Sequence, residues 1–529
     1  MSLQRRFVLV VGFGLGLLGG AHAGAPVPGL ITVNDAGDAD SDDSVCTLRE
    51  AIIAADNQGS YHGCVNYGFG RPTWIVFNIP GSGVHQIAVA SRLPEITKQV
   101  ILDGLSQPGA DCSVWPPTLL IEISSAGNGP YNGLTLSAGS NGSRVRGLVI
   151  NGFNNNVGYA DNFNAAINIY QSHSTVVECN FLGTDPTGTT AVPNLRAVDI
   201  NNAGSNVITR NVMSGNTDAQ VDMRGSGLNQ ISGNFIGTDV TGTVGLGGGS
   251  GVVIRSNPVG GAGEVGGNFI GWDGFSDPAL TRNIISGFTG AGNAGVVMEA
   301  GAIGNRVAGN YIGTDVTGML AIPNFSGVSL GSDGSNYHNI VGNDGTQDAA
   351  SARNVISGNS FVGIDVNGAD GTHDNAIVGN YIGMNSAGTA TLPNGSYGIS
   401  IDFASANTLV ARNWLAGQGT AIRFFGMSGF GGNSTASFIN NSGGANAELP
   451  SLDSSDNCVL GGAGVLVYAQ GANVPNPNTF QNNWWGAATG PTTAGASSAD
   501  GSIAATPYLT KPASVCSAVI FSDGFDPLP

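Results

Sequence analysis

Two aspartates, Asp199 and Asp222, occupy the same position in neighbouring copies of a repeated five-residue string. The string alternates aliphatic residues with variable ones, and this period of two predicts a short strand with one buried face. If successive copies pair as neighbouring strands, the two carboxylates lie about 5 Å apart on the outer face. Carboxylates at that distance raise one pKa or recruit a cation. A separation of about 5 Å also suits the cleavage of glycosidic bonds with retention, so the pair is a candidate catalytic site.

Other polar side chains surround this pair in the predicted sheet. Arg224 and Arg255 fall on adjacent strands, where they are candidates for clamping the carboxylates of uronic acids or for acting as a base. Tyr170 lies on a preceding strand, and its ring offers a flat surface for a sugar. The remaining candidates for substrate binding on this face are Asn168, Asn201 and Glu299. The alternative interpretation is a solvated sheet face on which Asp and Arg pair for solubility.

A second acidic pattern lies near the N-terminus, where Asp38, Asp40 and Asp42 alternate with small residues. Oxygen ligands at alternate positions are typical of calcium-binding loops. The glycine and the downstream glutamate of an EF-hand are missing, so a solvated acidic linker is the alternative. Calcium is the one cofactor that the sequence indicates. Repeated Thr-Asp loops supply further oxygen ligands at Asp185, Asp239 and Asp315.

The repeats predict the architecture that positions these residues. Ten copies of the five-residue string run from Gly133 to Phe425, and between them stand paired strands that meet at an asparagine. Each coil therefore has three strands, and the chain advances about 4.8 Å per coil. No coil can bury its apolar face alone, so stacking drives folding. The predicted fold is an all-β, right-handed parallel β-helix.

Asparagine recurs at one corner of the predicted coil, where it tolerates a left-handed backbone and its amide can bond to neighbours. Stacked asparagines would satisfy buried polar groups along the coil. The predicted ladder contains Asn180, Asn211, Asn234, Asn283, Asn310, Asn354, Asn380 and Asn413. The open N-terminal end needs a cap. Thr47 and Glu50 form a capping box that begins an apolar helix, which we predict to plug the coil.

Composition restricts the partners. Charged residues make up 10% of the chain, the net charge is −18, and 85 of 529 residues are glycine. Only two lysines, Lys98 and Lys511, are present, so a nucleic-acid partner is excluded, since phosphate binding needs clustered basic residues. The abundance of turn-forming residues instead indicates many short strands.

The first residues predict export. Arg5 and Arg6 precede an apolar run, and Ala21-His22-Ala23 has the pattern that signal peptidase cleaves. We expect a signal peptide at 1–23 and no membrane span after its removal, with an N-terminal anchor as the alternative. The six cysteines suit an oxidising compartment. The predicted pairs are Cys46 with Cys64 and Cys458 with Cys516, which leaves Cys112 with Cys179 by elimination.

Several segments resemble a known family. Thr32-Val33, the acidic run to Asp43 and Cys46-Thr-Leu-Arg-Glu-Ala-Ile52 resemble the CSLREA domain of secreted bacterial β-helix proteins, with Thr47 in place of its serine. Asn482-Asn-Trp-Trp-Gly486 is similar to the closing segment of many pectate-lyase-like β-helices. The resemblance implies a CSLREA-like cap at 24–70, β-helix repeats at 71–456, C-terminal coils and cap at 457–515, and a short tail at 516–529. It implies fold and export but no activity.

Three functions follow from the sequence. The first is a secreted or cell-surface protein that binds extracellular polysaccharide or a cell-surface glycan, or adheres to surfaces, through the outer face of one sheet. The second is a polysaccharide lyase or glycoside hydrolase that acts on uronate-containing glycans through Asp199, Asp222, Arg224 and Arg255. The third is a structural spacer. The sequence predicts neither the glycan nor an oligomeric state.

Overall fold

A computed structural model of the protein describes residues 27–425 apart from 69, 128, 155–163, 258–264, 300, 332–335, 343–348, 368–371, 403–407, 412 and 418–419. It also describes the backbone of four short strands beyond residue 457. The predicted signal peptide, the pairing of Cys458 with Cys516, the C-terminal cap and the tail lie outside the described residues.

Three long parallel sheets form the body of the protein. The first contains Pro28–Val33, Gly70–Phe77, Val100–Asp103, Arg144–Arg146, Val176–Glu178, Val207–Thr209, Gln230–Ser232, Phe269–Gly271, Arg306–Ala308, Ile340–Gly342, Ala376–Val378 and Leu409–Ala411. The second contains His85–Val89, Ile121–Ser125, Leu148–Asn151, Phe181–Leu182, Val212–Met213, Phe235–Ile236, Ile284–Ile285, Tyr311–Ile312, Val355–Ile356, Tyr381–Ile382, Trp414–Leu415 and Cys458–Val459. The third contains Leu134–Leu136, Ala165–Tyr170, Arg196–Asn201, Ala219–Arg224, Ser250–Arg255, Ala294–Met298, Ser326–Leu330, Val362–Asn367, Tyr397–Asp402, Thr420–Phe425 and Val467–Gln470.

The chain visits the three sheets in turn, so the fold is a right-handed parallel β-helix with three strands per coil, as predicted. The ten repeated strings are consecutive strands of the third sheet. Their aliphatic residues point inward, and Val198, Ile200, Val221 and Met223 are fully buried. Two smaller ladders pair Val265–Gly266 with Ala302–Ile303 and Asn478–Thr479 with Ile503–Ala504.

The asparagine ladder is confirmed, with one correction. Asn211 donates from its backbone and its side chain to Oδ1 of Asn234, at 3.0 and 3.1 Å, and Asn234 repeats this with Asn283. The left-handed residue of the corner is often the one before the asparagine, such as Cys179 or Arg210 with φ 55°. This position explains why glycine so often precedes the asparagine, because glycine adopts that backbone without strain.

Two more asparagine ladders stabilise the other corners. One links Asn206, Asn229, Asn268, Asn305, Asn339 and Asn375 through the same amide-to-amide bonds. The other links Asn194 to Asn216 and joins Asn324, Asn359 and Asn394. These side chains are almost completely buried, so the polar corners of the coil hydrogen-bond to one another rather than to solvent.

The predicted capping helix is confirmed. The helix Leu48–Asn57 begins at Thr47, whose side chain accepts from the Glu50 backbone while the Glu50 side chain accepts from the Thr47 backbone. Its apolar face packs into the core next to Ile31 and Val33. The other helices are short, namely Pro278–Thr281, Ala349–Ala352 and the 3₁₀ turn Gly104–Ser106. The described residues contain no helix that is long and apolar enough to cross a membrane.

Small hairpins precede every second strand of the third sheet between Arg196 and Asp402. They are closed by the antiparallel bridges Thr184–Ala191, Thr238–Gly245, Thr314–Ala321 and Met384–Thr391. Each hairpin bonds to the next, as Val240 does to the Gly188 carbonyl at 2.9 Å. The Asp239 carboxylate accepts from the backbone of Thr243 and Val244. The carboxylates of the Thr-Asp loops therefore hold these turns in shape.

Glycine is required at the hairpin turn. Gly242 has φ +70°, and a Cβ there would lie 2.4 Å from the ring of Phe235 on the second sheet. The hairpin thus packs onto an outward-facing aromatic ring. This contact explains why the aromatic residue and the hairpin glycine keep the same spacing in the repeats, as in Phe181 and Gly188 or Tyr311 and Gly318.

Two of the predicted disulfides are present, Cys46–Cys64 and Cys112–Cys179. The first joins the start of the capping helix to the turn after it, and the second ties an N-terminal loop to a corner of the coil. Both fit an oxidising compartment.

Candidate functional site

The third sheet has the register that the repeats predict. Asp199 pairs with Asp222 on the neighbouring strand, and Asn201 pairs with Arg224. Asn168 and Tyr170 pair with Asp199 and Asn201 on the other side. Arg255 continues the column beyond Arg224. The sheet therefore brings together the residues that the sequence selected.

The candidate catalytic residues form a buried ion-pair network instead of an open surface. Asp222 is fully buried and lies 2.6 Å from Arg255, 3.1 Å from Arg196 and 3.4 Å from Arg224. Asp199 is also fully buried and lies 2.6 Å from Arg224. Glu299 lies at the margin, 3.8 Å from Arg255. The Asp–Arg pairing of the alternative interpretation is present, but the carboxylates are not solvated, because the arginines fold back onto them.

Burial also determines the protonation of Asp199. Burial raises the pKa of Asp199 to about 6. The positive charge of Arg224 opposes this rise, and the negative charge of Asp222 adds to it. One carboxylate oxygen, Oδ1, is buried without a hydrogen-bond partner among the described residues. A carboxyl group that has one orphan oxygen binds a proton more readily than one that is fully bonded.

Two members of the network, Arg196 and Asp218, were not predicted. Arg196 is the first residue of its strand, three residues before Asp199, and it lies 2.6 Å from Asp218. Both residues precede the repeated five-residue string, so the pattern of the string does not indicate them. The signal in the sequence is that Arg196 and Asp218 stand a few residues before Asp199 and Asp222, where the chain enters those two strands.

A second polar patch lies on the same sheet, four coils beyond the first, and the sequence did not select it. It contains Asp365, Ser400, Asp402 and Arg423. Arg423 donates to the Ser400 hydroxyl at 2.8 Å and is ion-paired with Asp402. Ser400 in turn donates to Asp402 at 2.9 Å. Asp365 pairs with Ser400 on the neighbouring strand and is only partly buried, so its carboxyl is more accessible than those of Asp199 and Asp222.

Aromatic rings border the second patch. Phe325 and Phe361 are stacked with ring centres 5.1 Å apart, and Phe361 meets Tyr397 edge-on at 5.9 Å. The Arg423 guanidinium lies over the Tyr397 ring, 4.2 Å from its centre. All three rings are partly exposed. We call Phe325, Phe361 and Tyr397 the aromatic margin.

Burial and charge raise two carboxyl pKa values in this patch. Burial raises the pKa of Asp365 to about 7. The negative charge of Asp402 adds to this rise, and the positive charge of Arg423 partly opposes it. Burial also raises the pKa of Asp402, against Arg423 and Ser400. Asp365 is therefore partly protonated near neutral pH.

The raised pKa of Asp365 predicts how stability depends on pH. The folded chain binds this proton more tightly than the unfolded chain, so the contribution of Asp365 is most favourable below about pH 4 and falls as pH rises to about 7. We expect Asp365→Asn to stabilise the protein at pH 8, on the order of 1 to 3 kcal/mol, and to change little at pH 4. Thermal melts at both pH values check this. The exposed control Asp42→Asn should show no such difference, and an equal effect of Asp365→Asn at both pH values would contradict the prediction.

The predicted calcium ligands do not converge in the structure. Asp38 lies 2.8 Å from Arg49 and accepts from the Ala90 backbone. Asp42 is exposed. Asp40 instead lies with Glu50 and His62, the one group of potential metal ligands found within the described part of the chain. A calcium site at Asp38, Asp40 and Asp42 stays a prediction.

A cavity of about 290 Å³ lies beside the Cys112–Cys179 disulfide. Two arginines of its lining, Arg146 and Arg210, bond to other groups of the protein. Arg146 binds Asp103 at 2.8 Å and Arg210 donates to the Cys112 carbonyl at 2.8 Å. The Arg146 contact joins two neighbouring strands, and the Arg210 contact braces the disulfide-bonded loop.

No family model and no curated protein matches the chain. Several solved structures are similar to it. The Azotobacter vinelandii mannuronan C-5 epimerase AlgE4 A-module is 12% identical, with 76% of this chain and 98% of that chain covered and a TM-score of 0.40. A periplasmic alginate epimerase, AlgG, is 13% identical over 83% and 77%, with a TM-score of 0.32.

The catalytic domain of a GH87 alpha-1,3-glucanase in complex with tetrasaccharides is 14% identical over 67% of this chain, with a TM-score of 0.38. This chain spans only 56% of the length of that domain. The substrates in these descriptions belong to those proteins. The fold of this chain is established by its own strand pairing.

Proposed function

We propose that this is a secreted or cell-surface protein that binds polysaccharide along the outer face of its third sheet. The observation that carries the proposal is the aromatic margin beside the patch of Asp365, Asp402 and Arg423. Partly exposed rings on consecutive coils provide flat apolar surfaces onto which the C–H faces of sugars can pack. Of the neighbouring polar groups, the partly buried carboxyl of Asp365 and guanidinium of Arg423 can bond to sugar hydroxyls.

The charge of the chain favours a neutral glycan over a uronate polymer. The net charge is −18, and a polyanion approaching such a surface is repelled. The arginines that the sequence offered as uronate clamps, Arg224 and Arg255, are bound to buried aspartates. Arg423 is likewise paired with Asp402. Each of these three guanidinium groups is therefore ion-paired with a carboxylate of the protein itself.

The binding proposal is tested by titrating neutral and uronate-rich polysaccharides into the protein in a calorimeter. We expect Phe361→Ala and Tyr397→Ala to weaken binding about tenfold or more, because each removes a ring from the contact surface. Phe275→Ala is the matched control, since this phenylalanine is 91% exposed but lies outside the third sheet, in the loop before the helix Pro278–Thr281. Unchanged affinity in both margin variants would refute the proposed surface.

A second candidate function is hydrolysis of a glycosidic bond at the same patch. The observation that favours it is the pKa of Asp365, about 7, which leaves a proton to donate at neutral pH. Release of reducing ends from a bound polysaccharide would support it, and Asp365→Asn should then abolish cleavage while binding remains. The absence of products from every bound polysaccharide leaves binding alone. Catalysis by Asp199 and Asp222 stays a prediction, and their burial favours a structural role.

A further inference from the structure

Three potential metal ligands converge at the N-terminal cap. Nδ1 of His62 lies 3.2 Å from Oδ1 of Asp40 and 3.3 Å from Oε1 of Glu50. The three ligand atoms all lie within 4.8 Å of one another. They come from three separate pieces of chain: the acidic loop, the first turn of the helix Leu48–Asn57, and the turn that follows the helix.

The two spacings that involve His62 match a tetrahedral zinc site. Zinc binds histidine nitrogen and carboxylate oxygen at about 2.0–2.2 Å, which places neighbouring ligand atoms about 3.3–3.6 Å apart at the corners of a tetrahedron. The two distances from the His62 nitrogen are therefore close to the edges of such a tetrahedron. We propose that Asp40, Glu50 and His62 bind one zinc ion at the cap.

Surrounding contacts hold each ligand in place. Glu50 is 1% exposed, and its carboxylate accepts from the backbones of Ser41 at 2.9 Å and Thr47 at 3.0 Å. The ring of Tyr61 lies 3.9 Å from the ring of His62. Partners of this kind orient metal ligands and raise affinity.

The turn that carries His62 is rigid. The backbones of Tyr61 and Cys64 exchange two hydrogen bonds of 2.9 Å, and Cys64 is bonded to Cys46. His62 itself has φ +47°, a left-handed backbone that the tight turn maintains. The imidazole is therefore presented to the helix by a fixed loop.

The site is open on one side. The side chains of Asp40 and His62 are 42% and 25% exposed, so a metal can enter from solvent and a water molecule can complete the tetrahedron. Imidazole with carboxylates suits zinc better than calcium, which prefers six or more oxygen ligands. A bound ion would tie the acidic loop to the helix and so close the cap.

The test uses the full secreted chain, stripped with a chelator and titrated with zinc chloride in a calorimeter. We expect one zinc per chain, a higher melting temperature with zinc, and a smaller effect of calcium or magnesium. Asp40→Asn and His62→Gln should weaken zinc binding by more than the 10–100-fold that loss of a supporting contact costs. Glu50 is left unchanged because it also caps the helix.

Matched controls separate metal binding from other effects. His373→Gln alters a histidine that also contacts a carboxylate, Asp374 at 2.8 Å, and should leave the zinc titration unchanged. The metal-free variants should keep the far-ultraviolet circular dichroism of the parent, which shows that they fold. The absence of stoichiometric binding, or binding that His62→Gln leaves intact, would overturn the proposal and leave His62 as an ion-pair partner of the two carboxylates. Tighter binding of calcium than of zinc would also overturn it.

Discussion

Asp222→Ala is expected to lower the free energy of unfolding by about 3–5 kcal/mol, the cost of leaving buried charges without their partner. Asp222 lies within 3.4 Å of three arginines, and two of them, Arg196 and Arg224, are themselves buried. Removal of the carboxylate leaves those guanidinium groups close together in a region of low dielectric. The large effect follows from breaking the network, and it does not mean that the intact network stabilises the fold by the same amount.

Denaturant unfolding and hydrogen exchange of the strand Ala219–Arg224 measure this effect. Hydrogen exchange is needed because a stacked coil can open locally without unfolding as a whole. Asp218→Asn is the control, since Asp218 contacts the same Arg196 at 2.6 Å but is 41% exposed. That change should cost less than about 1 kcal/mol. Similar losses in both variants would show that burial of the network is not the cause.

Asn234→Ala is expected to cost about 3–5 kcal/mol, because it removes hydrogen bonds from several buried groups at once. The Asn234 amide donates to the Ile208 carbonyl at 2.8 Å, and its Oδ1 accepts from the backbone of Asn211 at 3.0 Å. Each orphaned group costs about 1–3 kcal/mol. The ladder therefore breaks at one coil, and the two halves lose their connection at that corner.

The isosteric change Asn234→Asp separates hydrogen bonding from volume. Aspartate fills the same space but cannot donate to Ile208, so it should destabilise the protein nearly as much as alanine in the same unfolding experiment. Asn141→Ala is the control, because this exposed asparagine accepts one bond, from the His173 backbone at 2.9 Å. If Asn234→Asp proves harmless, the ladder stabilises the coil through packing rather than through donation.

The sequence predicted the fold because its periodicities are local. An aliphatic residue at every second position determines which face of a strand is buried, and the repeat length determines which strands pair. The pairing of Asp199 with Asp222 followed directly. The capping helix was predicted for the same reason, since Thr47 and Glu50 are only three residues apart.

The state of the candidate site did not follow from these patterns. Strand alternation gives the face on which Asp222 lies, but it does not show that Arg196 and Arg255 fold over that carboxylate. Exposure depends on long side chains and on chain segments that are distant in sequence. The sequence did not indicate the patch at Asp365 for a related reason. Its ion pair joins Asp402 and Arg423, which are not register partners on their neighbouring strands.

The hairpins before every second strand of the third sheet restrict how a chain of this kind can gain or lose coils. Because the hairpins occur on every second coil and touch one another, as Val316 does the Gly242 carbonyl at 2.9 Å, one coil is not an independent module. Gain or loss of a single coil would bring two hairpins, or two bare corners, against each other. Duplication or deletion in pairs of coils keeps every hairpin in register. The unit whose gain or loss preserves the hairpin contacts is therefore the double coil, which advances about 10 Å along the axis.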